Sequence, residues 1–171
     1  MFRRLTLRLR DMRTITALCR SAELHANAEG RQAPGSEHFV MAAMDLPDGT
    51  AQRAFRRANA DPARFRQAIV QQYARALRSA GIDASLFEDD APAMPEAKGL
   101  YKAEDSARQL VERLARLRRE EPARPLLGAD VIAVAAESRH GITARAIEAM
   151  GLDAATLRAA AQAEIEASAG E

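Results

Sequence analysis

An internal repeat constrains the fold of this chain more than any other feature of its sequence. The sequence pattern of residues 35–61 recurs, with many substitutions, at residues 128–153. Both copies begin with glycine, have an acid two positions later and continue with a short apolar run. The segments 49–61 and 141–153 also correspond, since both begin with glycine, end with aspartate and have the same length. Self-similarity in a fixed order indicates a duplicated supersecondary unit.

The hydrophobic pattern predicts helices along most of the chain. Apolar residues recur with a period of about 3.6, and no alternating pattern typical of β-strands competes with it. Residues that favour helix ends stand between the apolar stretches: Ser36, Asp61 and Asp153 as N-caps, and Gly30 and Pro122 as stops. The predicted core-facing residues are Ile15, Leu18, Cys19, Ala22, Ala26, Phe39, Val40, Ala43, Met44, Ala51, Ala54, Phe55, Ala58, Phe65, Ala68, Ile69, Tyr73, Ala76, Leu77, Ala107, Leu110, Val111, Leu114, Leu117, Ile132, Ala135, Ala136, Ala144, Ile147, Leu157, Ala160, Ala161 and Ile165.

These patterns predict an all-α fold of two pseudo-symmetric four-helix repeats. The first repeat spans residues 1–81, which Gly81 ends, and the second spans residues 103–171. Residues 82–102 contain two prolines and three successive acids without a sustained period, so they are predicted to be a linker. Helical units this short cannot bury their apolar faces alone. We therefore expect both repeats to share one core about a pseudo-twofold axis.

Composition narrows the class of protein. The 25 basic and 24 acidic residues give a net charge of +1, which argues against a general polyanion binder. Cys19 is the sole cysteine, so an intramolecular disulfide is impossible and a reducing compartment fits the chain. No stretch approaches the roughly 18 consecutive apolar residues that a membrane span needs. We expect a cytoplasmic protein without a membrane partner, monomeric or weakly associating.

The repeated strings resemble those of a known family. The first copy reads Gly-Ser-Glu-His-Phe-Val-Met-Ala-Ala from residue 35 and Gly-Thr-Ala-Gln-Arg-Ala-Phe from residue 49. The second reads Gly-Ala-Asp-Val-Ile-Ala-Val-Ala-Ala from residue 128 and Gly-Ile-Thr-Ala-Arg-Ala-Ile from residue 141, and the chain opens with Met-Phe-Arg-Arg-Leu-Thr. These strings resemble the repeat of the Clp N-terminal domain, the module that precedes the ATPase rings of Clp unfoldases. The resemblance covers most of the chain outside the predicted linker.

The resemblance implies a function in protein recognition. Clp N-terminal domains are helical modules that bind substrate or adaptor proteins and pass them to the ATPase ring. Some members bind phosphorylated arginine through the glutamate of each Gly-Thr-Glu-His string and a threonine of each unit's opening helix. By position, the two acids here are Glu37, followed by His38, and Asp130, followed by Val131. Counted back from the first repeat glycine without gaps, the threonine position holds Met12.

The acids have a second interpretation that needs no ligand. A carboxylate in the first turn of a helix is favoured by the helix macrodipole by about 0.3–1 kcal/mol. Capping alone would therefore explain an acid at Glu37 and at Asp130. The sequence leaves both interpretations open, with a phosphoarginine ligand as one possibility.

The sequence predicts a non-enzymatic recognition module without a cofactor or metal. No Gly-x-x-x-x-Gly-Lys-Ser/Thr phosphate loop occurs, so we expect the recognition domain to stand alone without ATPase modules. The expected function is that of an adaptor, regulator or substrate-binding accessory of a Clp ATPase–protease system. Its partners would be a Clp-type ATPase, its adaptors or its protein substrates. The candidate binding residues are Glu37, His38 and Asp130 at the interface between the repeats, and Phe2 in the N-terminal arm.

A small helical nucleic-acid-binding regulator is the alternative function. It rests on two arginine clusters: Arg3, Arg4, Arg8, Arg10 and Arg13 near the N-terminus, and Arg113, Arg116, Arg118 and Arg119 in the second half. Acids interleave with the second cluster, which predicts a solvated, ion-paired helix face. The three histidines, His25, His38 and His140, lack metal-ligand spacing with Cys19 and are expected to be exposed or half-buried structural residues.

Overall fold

The computed structural model describes residues 2–79 and 104–169 of the chain, with the side chains of residues 2–5 and 76–77 left out. These ranges form eight α-helices and no strand, which confirms the all-α prediction. The linker predicted at 82–102, and Gly81 as a helix stop, lie outside the described residues. The helices are α1 (Phe2–Ala28), α2 (Ser36–Met44), α3 (Thr50–Arg57), α4 (Ala63–Ser79), α5 (Asp105–Glu120), α6 (Gly128–Ala135), α7 (Ile142–Ala149) and α8 (Ala154–Ala169).

Side-chain caps explain where two of the helices begin. The Asp61 carboxylate accepts a hydrogen bond from the backbone N–H of Ala63 at 3.0 Å, and α4 begins at that residue. The Asp153 carboxylate accepts one from the backbone N–H of Thr156 at 2.9 Å, within the first turn of α8. Both predicted aspartate caps are therefore confirmed. Ser36 differs from its prediction, because it is the first residue of α2 and Gly35 is the N-cap.

One hydrophobic core joins the first four helices to the last four. Helix α3 packs on α8, and α4 packs on α7, so the third and fourth helices of each half contact the other half. Helix α2 crosses α6 near the centre, and α1 packs along α2. The largest fully buried apolar side chains are Phe39, Phe55, Phe65, Leu18, Ile69, Leu126, Ile132, Leu157, Val40 and Val131. Each of the eight helices supplies at least one buried apolar residue to this core.

Close approach explains the glycine that begins the second copy of the repeat. A Cβ on Gly128 would lie 2.9 Å from the carbonyl oxygen of Ala43 and 3.1 Å from the Cβ of Ala51. The first contact is with backbone at the crossing of α2 and α6, which no side-chain rotation relieves. Any larger residue at Gly128 would push these helices apart.

Several predicted core residues are less buried than expected. Ile15 is 44% exposed, and Cys19, Met44, Tyr73, Val111, Leu117 and Ala144 are only half-buried. Helix α1 is about 40 Å long at 1.5 Å per residue, whereas α2, on which it packs, is only about a third of that length. The first half of α1 therefore extends past α2, and full burial begins at Leu18. None of the described helices is both long and apolar enough to cross a bilayer.

An ion-pair cluster fastens α8 to α3. The Glu164 carboxylate is buried and accepts hydrogen bonds from Arg53 Nε at 2.7 Å and Arg57 Nε at 2.9 Å. Burial alone raises the pKa of Glu164, but the two arginines outweigh it and hold the pKa below its usual 4.5. A group with a lowered pKa stabilises the fold above its unfolded-state pKa. This contribution is therefore lost as the pH falls below about 4.5.

Replacing Glu164 with glutamine tests this linkage. We expect E164Q to lower the free energy of unfolding at pH 7 by about 1–2 kcal/mol, since hydrogen bonds to a charged acceptor are lost while the half-exposed arginines remain partly solvated. Urea unfolding at pH 7, 5 and 3 should show the gap to the wild type narrowing at the lowest pH. E166Q, on the exposed side of the same helix, is the control and should change little. An E164Q gap that stays constant down to pH 3 would contradict the account.

Candidate functional site

Glu37 is held by a tyrosine from another helix. It lies in the first turn of α2 and is only 2% exposed. The hydroxyl of Tyr73, from α4, donates a hydrogen bond to Glu37 Oε1 at 2.5 Å. Partial burial and this hydrogen bond raise the pKa of Tyr73 well above its usual 10.0, so the hydroxyl remains a donor. The Arg31 guanidinium covers the Tyr73 ring, with its Cζ 4.2 Å from the ring centroid.

His38 caps the same helix from a fully buried position, so the expectation of an exposed or half-buried histidine was wrong here. Its Nδ1 accepts a hydrogen bond from the backbone N–H of Gly35 at 2.8 Å. Nδ1 therefore carries a lone pair, and the ring proton lies on Nε2, which donates to Glu29 Oε2 at 3.2 Å. Gly35 has a further role, because a Cβ there would lie 2.6 Å from Glu37 Oε1. The first repeat glycine thus leaves room for the Glu37 carboxylate to fold back over the helix start.

Asp130, the corresponding acid in α6, is held by an arginine. It is buried, and both of its oxygens accept hydrogen bonds from Arg124: Oδ1 from Nη2 at 2.7 Å and Oδ2 from Nη1 at 2.9 Å. The backbone N–H of Leu127 also donates to Oδ2 at 2.9 Å, which caps α6. This paired geometry is the one by which a carboxylate recognises a guanidinium. Arg124 therefore satisfies the carboxylate that the sequence marked as a ligand-binding candidate.

Polar contacts at the centre of the molecule join the two halves. They lie at the starts of α2 and α3 in the first half and of α6 and α7 in the second. The backbone N–H of Gly128 donates to Asp48 Oδ2 at 3.1 Å, and that of Ala129 donates to the Thr50 hydroxyl at 2.8 Å. In the reverse direction, the hydroxyls of Ser36 and Thr143 are 2.7 Å apart. The Asp48 and Thr50 side chains satisfy backbone N–H groups in the first turn of α6, which has no intrahelical acceptor for them. We call this set, Ser36, Asp48, Thr50 and Thr143, the central polar contact.

The predicted site residues therefore do not form an open site. Glu37, His38 and Asp130 are buried at two helix starts, and each makes hydrogen bonds within the chain. Phe2 begins α1, but its side chain lies outside the described part. Sequence reasoning missed Arg124 as a partner and assigned Tyr73 only to the core. The only sequence signal for the Arg124 contact was the presence of a basic residue six positions before Asp130, which is too weak to assign an ion pair.

An open cleft lies elsewhere, beside α7 and α8. It has a volume of about 1160 Å³ and is lined by charged side chains of both signs, among them Arg139, Arg145, Arg158, Glu137 and Glu148. Glu137 pairs with Arg158 at 3.2 Å and with Arg113 at 2.6 Å. The cleft is therefore a mixed-charge surface with part of its charge internally neutralised.

Two of the four arginines of the second cluster, Arg113 and Arg118, form ion pairs within the protein. Besides Arg113, which pairs with Glu137, Arg118 donates to Asp11 Oδ2 through Nε at 3.0 Å and Nη2 at 2.7 Å. The ion-paired helix face was expected to use neighbouring acids on the same helix. Instead, the partners are Glu137, just after the end of α6, and Asp11 in α1, because tertiary packing places those carboxylates closer.

Within residues 2–79 and 104–169, no group of three histidine, cysteine, aspartate or glutamate side chains gathers in a way that could hold a metal ion.

Comparison of the chain with models of known protein families gives no match, and comparison with curated proteins gives none either.

Proposed function

We propose that this chain is a non-enzymatic protein-recognition module similar to the Clp N-terminal domain, acting as an adaptor, regulator or substrate-binding accessory of a Clp ATPase–protease system. Its architecture would be two pseudo-symmetric four-helix repeats around a pseudo-twofold axis. The observation that carries the proposal is the reciprocal packing of the two halves, α3 on α8 and α4 on α7. Two related units that bury their apolar faces against each other would pack in this reciprocal way.

Matched details of the two halves support the repeat. Helices α3 and α7 both follow a glycine with a positive φ, +64° at Gly49 and +96° at Gly141. Helices α4 and α8 both begin beside a capping aspartate. The acids Glu37 and Asp130 both lie buried in the first turn of the second helix of their half. The correspondence therefore extends from sequence strings to the caps and buried acids of three helix pairs.

Protein recognition also fits the way the charges are used. The arginines on α5 that suggested nucleic acid include Arg113 and Arg118, which form ion pairs with Glu137 and Asp11. A phosphate backbone would have to displace those carboxylates before it could bind there. No contact of α5 favours the nucleic-acid alternative over an ion-paired surface.

Recovery of partners from the protein's own cells tests the proposal. Tagged chain, shown to be helical by circular dichroism, should bring down a Clp ATPase, its adaptor or its client proteins. A matched preparation of tag alone is the control. Recovery of none of these partners by correctly folded protein would overturn the proposed function.

The phosphoarginine possibility makes a separate prediction. Because Tyr73 and Arg124 already bind the two carboxylates, we expect free phosphoarginine at millimolar concentration to leave the backbone amides of Glu37 and Asp130 unperturbed. Nuclear magnetic resonance of the isotope-labelled chain measures this directly, with free arginine as the control ligand. Saturable shifts confined to the amides around either acid would show that the internal partner is displaceable, contrary to this expectation.

A further inference from the structure

We infer that the outward face of the first half of α1 docks an amphipathic helix of a partner protein, one whose apolar residues are flanked by aspartate and glutamate. The inference rests on the proposed recognition function and adds to it a surface and the chemistry of the partner. We call this surface, formed by Leu9, Met12, Ile15 and the arginines beside them, the α1 face.

The centre of the α1 face is apolar and open to solvent. Leu9 is 52% exposed, Met12 is 64% exposed, and Ile15 is the exposed residue that was predicted to face the core. Side chains three residues apart are neighbours on a helix, so these three form one continuous band over two turns. They are three of the five exposed large hydrophobic residues in the described part of the chain. Scattered exposed apolar residues are ordinary, but a band of this kind marks a contact surface.

Positive charge lies beside the apolar band of the α1 face. Arg8 and Arg13 are exposed, and neither forms an ion pair with a described residue. The only acid among residues 2–22 is Asp11, whose carboxylate is bound by Arg118 and by the backbone N–H of Leu126. The face thus presents an apolar band beside guanidinium groups that no described carboxylate pairs with.

Charge and shape together favour an acidic amphipathic helix as the occupant. A second copy of the chain would place arginines against arginines, which costs free energy at an interface. A nucleic acid would satisfy the arginines but would leave the apolar band in contact with water or phosphate. A helix with an apolar stripe and acidic flanks satisfies both features by packing its stripe along the band, as paired helices do in a coiled coil. An anionic membrane surface shares part of this chemistry, and the experiment separates the two.

Peptide binding tests the inference. The probe is a helical peptide of about 18 residues with leucines at i, i+3 and i+4 spacing flanked by glutamates, compared with one in which lysines replace the glutamates. Fluorescence anisotropy should show the glutamate peptide binding the full chain at least about tenfold more tightly than the lysine peptide. M12D should weaken that binding by at least about tenfold, whereas L24D should not. Leu24 is the matched control because it is 69% exposed on the same helix but lies off the band.

Three outcomes would overturn the inference: equal affinity for the two peptides, equal effects of M12D and L24D, or binding to phosphatidylglycerol vesicles that M12D abolishes while neither peptide binds. Both substitutions are at exposed positions, and circular dichroism should confirm unchanged folding. The failure of this inference is distinguishable from that of the proposed function. If wild-type protein, M12D and L24D all recover Clp components from cells equally, the function stands and the α1 face is not its surface.

Discussion

Replacement of Arg124 by leucine is expected to lower the free energy of unfolding by about 3–5 kcal/mol. Asp130 has no exposed side-chain surface, and Arg124 supplies two of its three hydrogen bonds, at 2.7 and 2.9 Å. Leucine fills much of the volume but leaves a buried carboxylate without its countercharge. Removing one partner of a buried ion pair is costly for this reason, even where replacing both partners is not. Urea denaturation at pH 7, followed by circular dichroism, measures the loss.

The double variant R124L/D130N distinguishes charge burial from lost packing. Asparagine can still accept the hydrogen bond from the backbone N–H of Leu127, but it carries no charge. We expect the double variant to recover about half or more of the loss, whereas R145L, at an exposed position on α7, should change stability by less than about 0.5 kcal/mol. A loss under about 1 kcal/mol for R124L would mean that Asp130 is not held as described.

Replacement of Phe65 by alanine is expected to cost about 3–5 kcal/mol, the other large effect. Phe65 is fully buried in α4, and its ring lies against that of Phe55 in α3, with centroids 5.7 Å apart and planes at 54°. Helix α3 packs on α8 and α4 packs on α7, so this tilted aromatic pair lies between the two contacts that join the halves. A cavity at this position therefore weakens the packing of α3 on α8 and that of α4 on α7. Thermal and urea unfolding should show one cooperative transition shifted to lower stability.

Two further variants give the Phe65 prediction its controls. V70A, at an exposed position on the same helix, should change stability by less than about 0.5 kcal/mol. The double variant F55A/F65A should deviate from the sum of the single variants by about 0.5–1.5 kcal/mol, the range measured for aromatic pairs. Additive losses would mean that the rings do not interact. Two separate unfolding transitions for F65A would mean that the halves do not share one core.

Local sequence signals were sufficient for most of the secondary structure. An aspartate bonds backbone groups two or three residues away, so Asp61 and Asp153 fix helix starts whatever surrounds them. The repeat added a global constraint, because two matched series of caps predicted four helices on each side of residues 82–102. Eight helices in the described residues agree with that count.

Contacts between distant residues could not be predicted in the same way. Tyr73 is 36 positions from Glu37, and nothing in the local pattern distinguishes a core tyrosine from one that donates to a buried acid. The exposure of Ile15 likewise depends on how far α2 extends along α1. The apolar periodicity of α1 carries no information about the length of α2. The resemblance placed Glu37 and Asp130 as candidate ligand residues. Their burial depends on partners supplied by tertiary packing.

Binding of the purified chain to a Clp ATPase from the same cells tests the proposed recognition function most directly. Calorimetric titration of the intact chain into the assembled ATPase, alone and with its adaptor or a client protein, should give saturable binding with a Kd on the order of micromolar or tighter. Met12→Asp should weaken that binding, and Leu24→Asp should not. A fully helical, cooperatively folded chain that releases no binding heat with any of these partners would contradict the account.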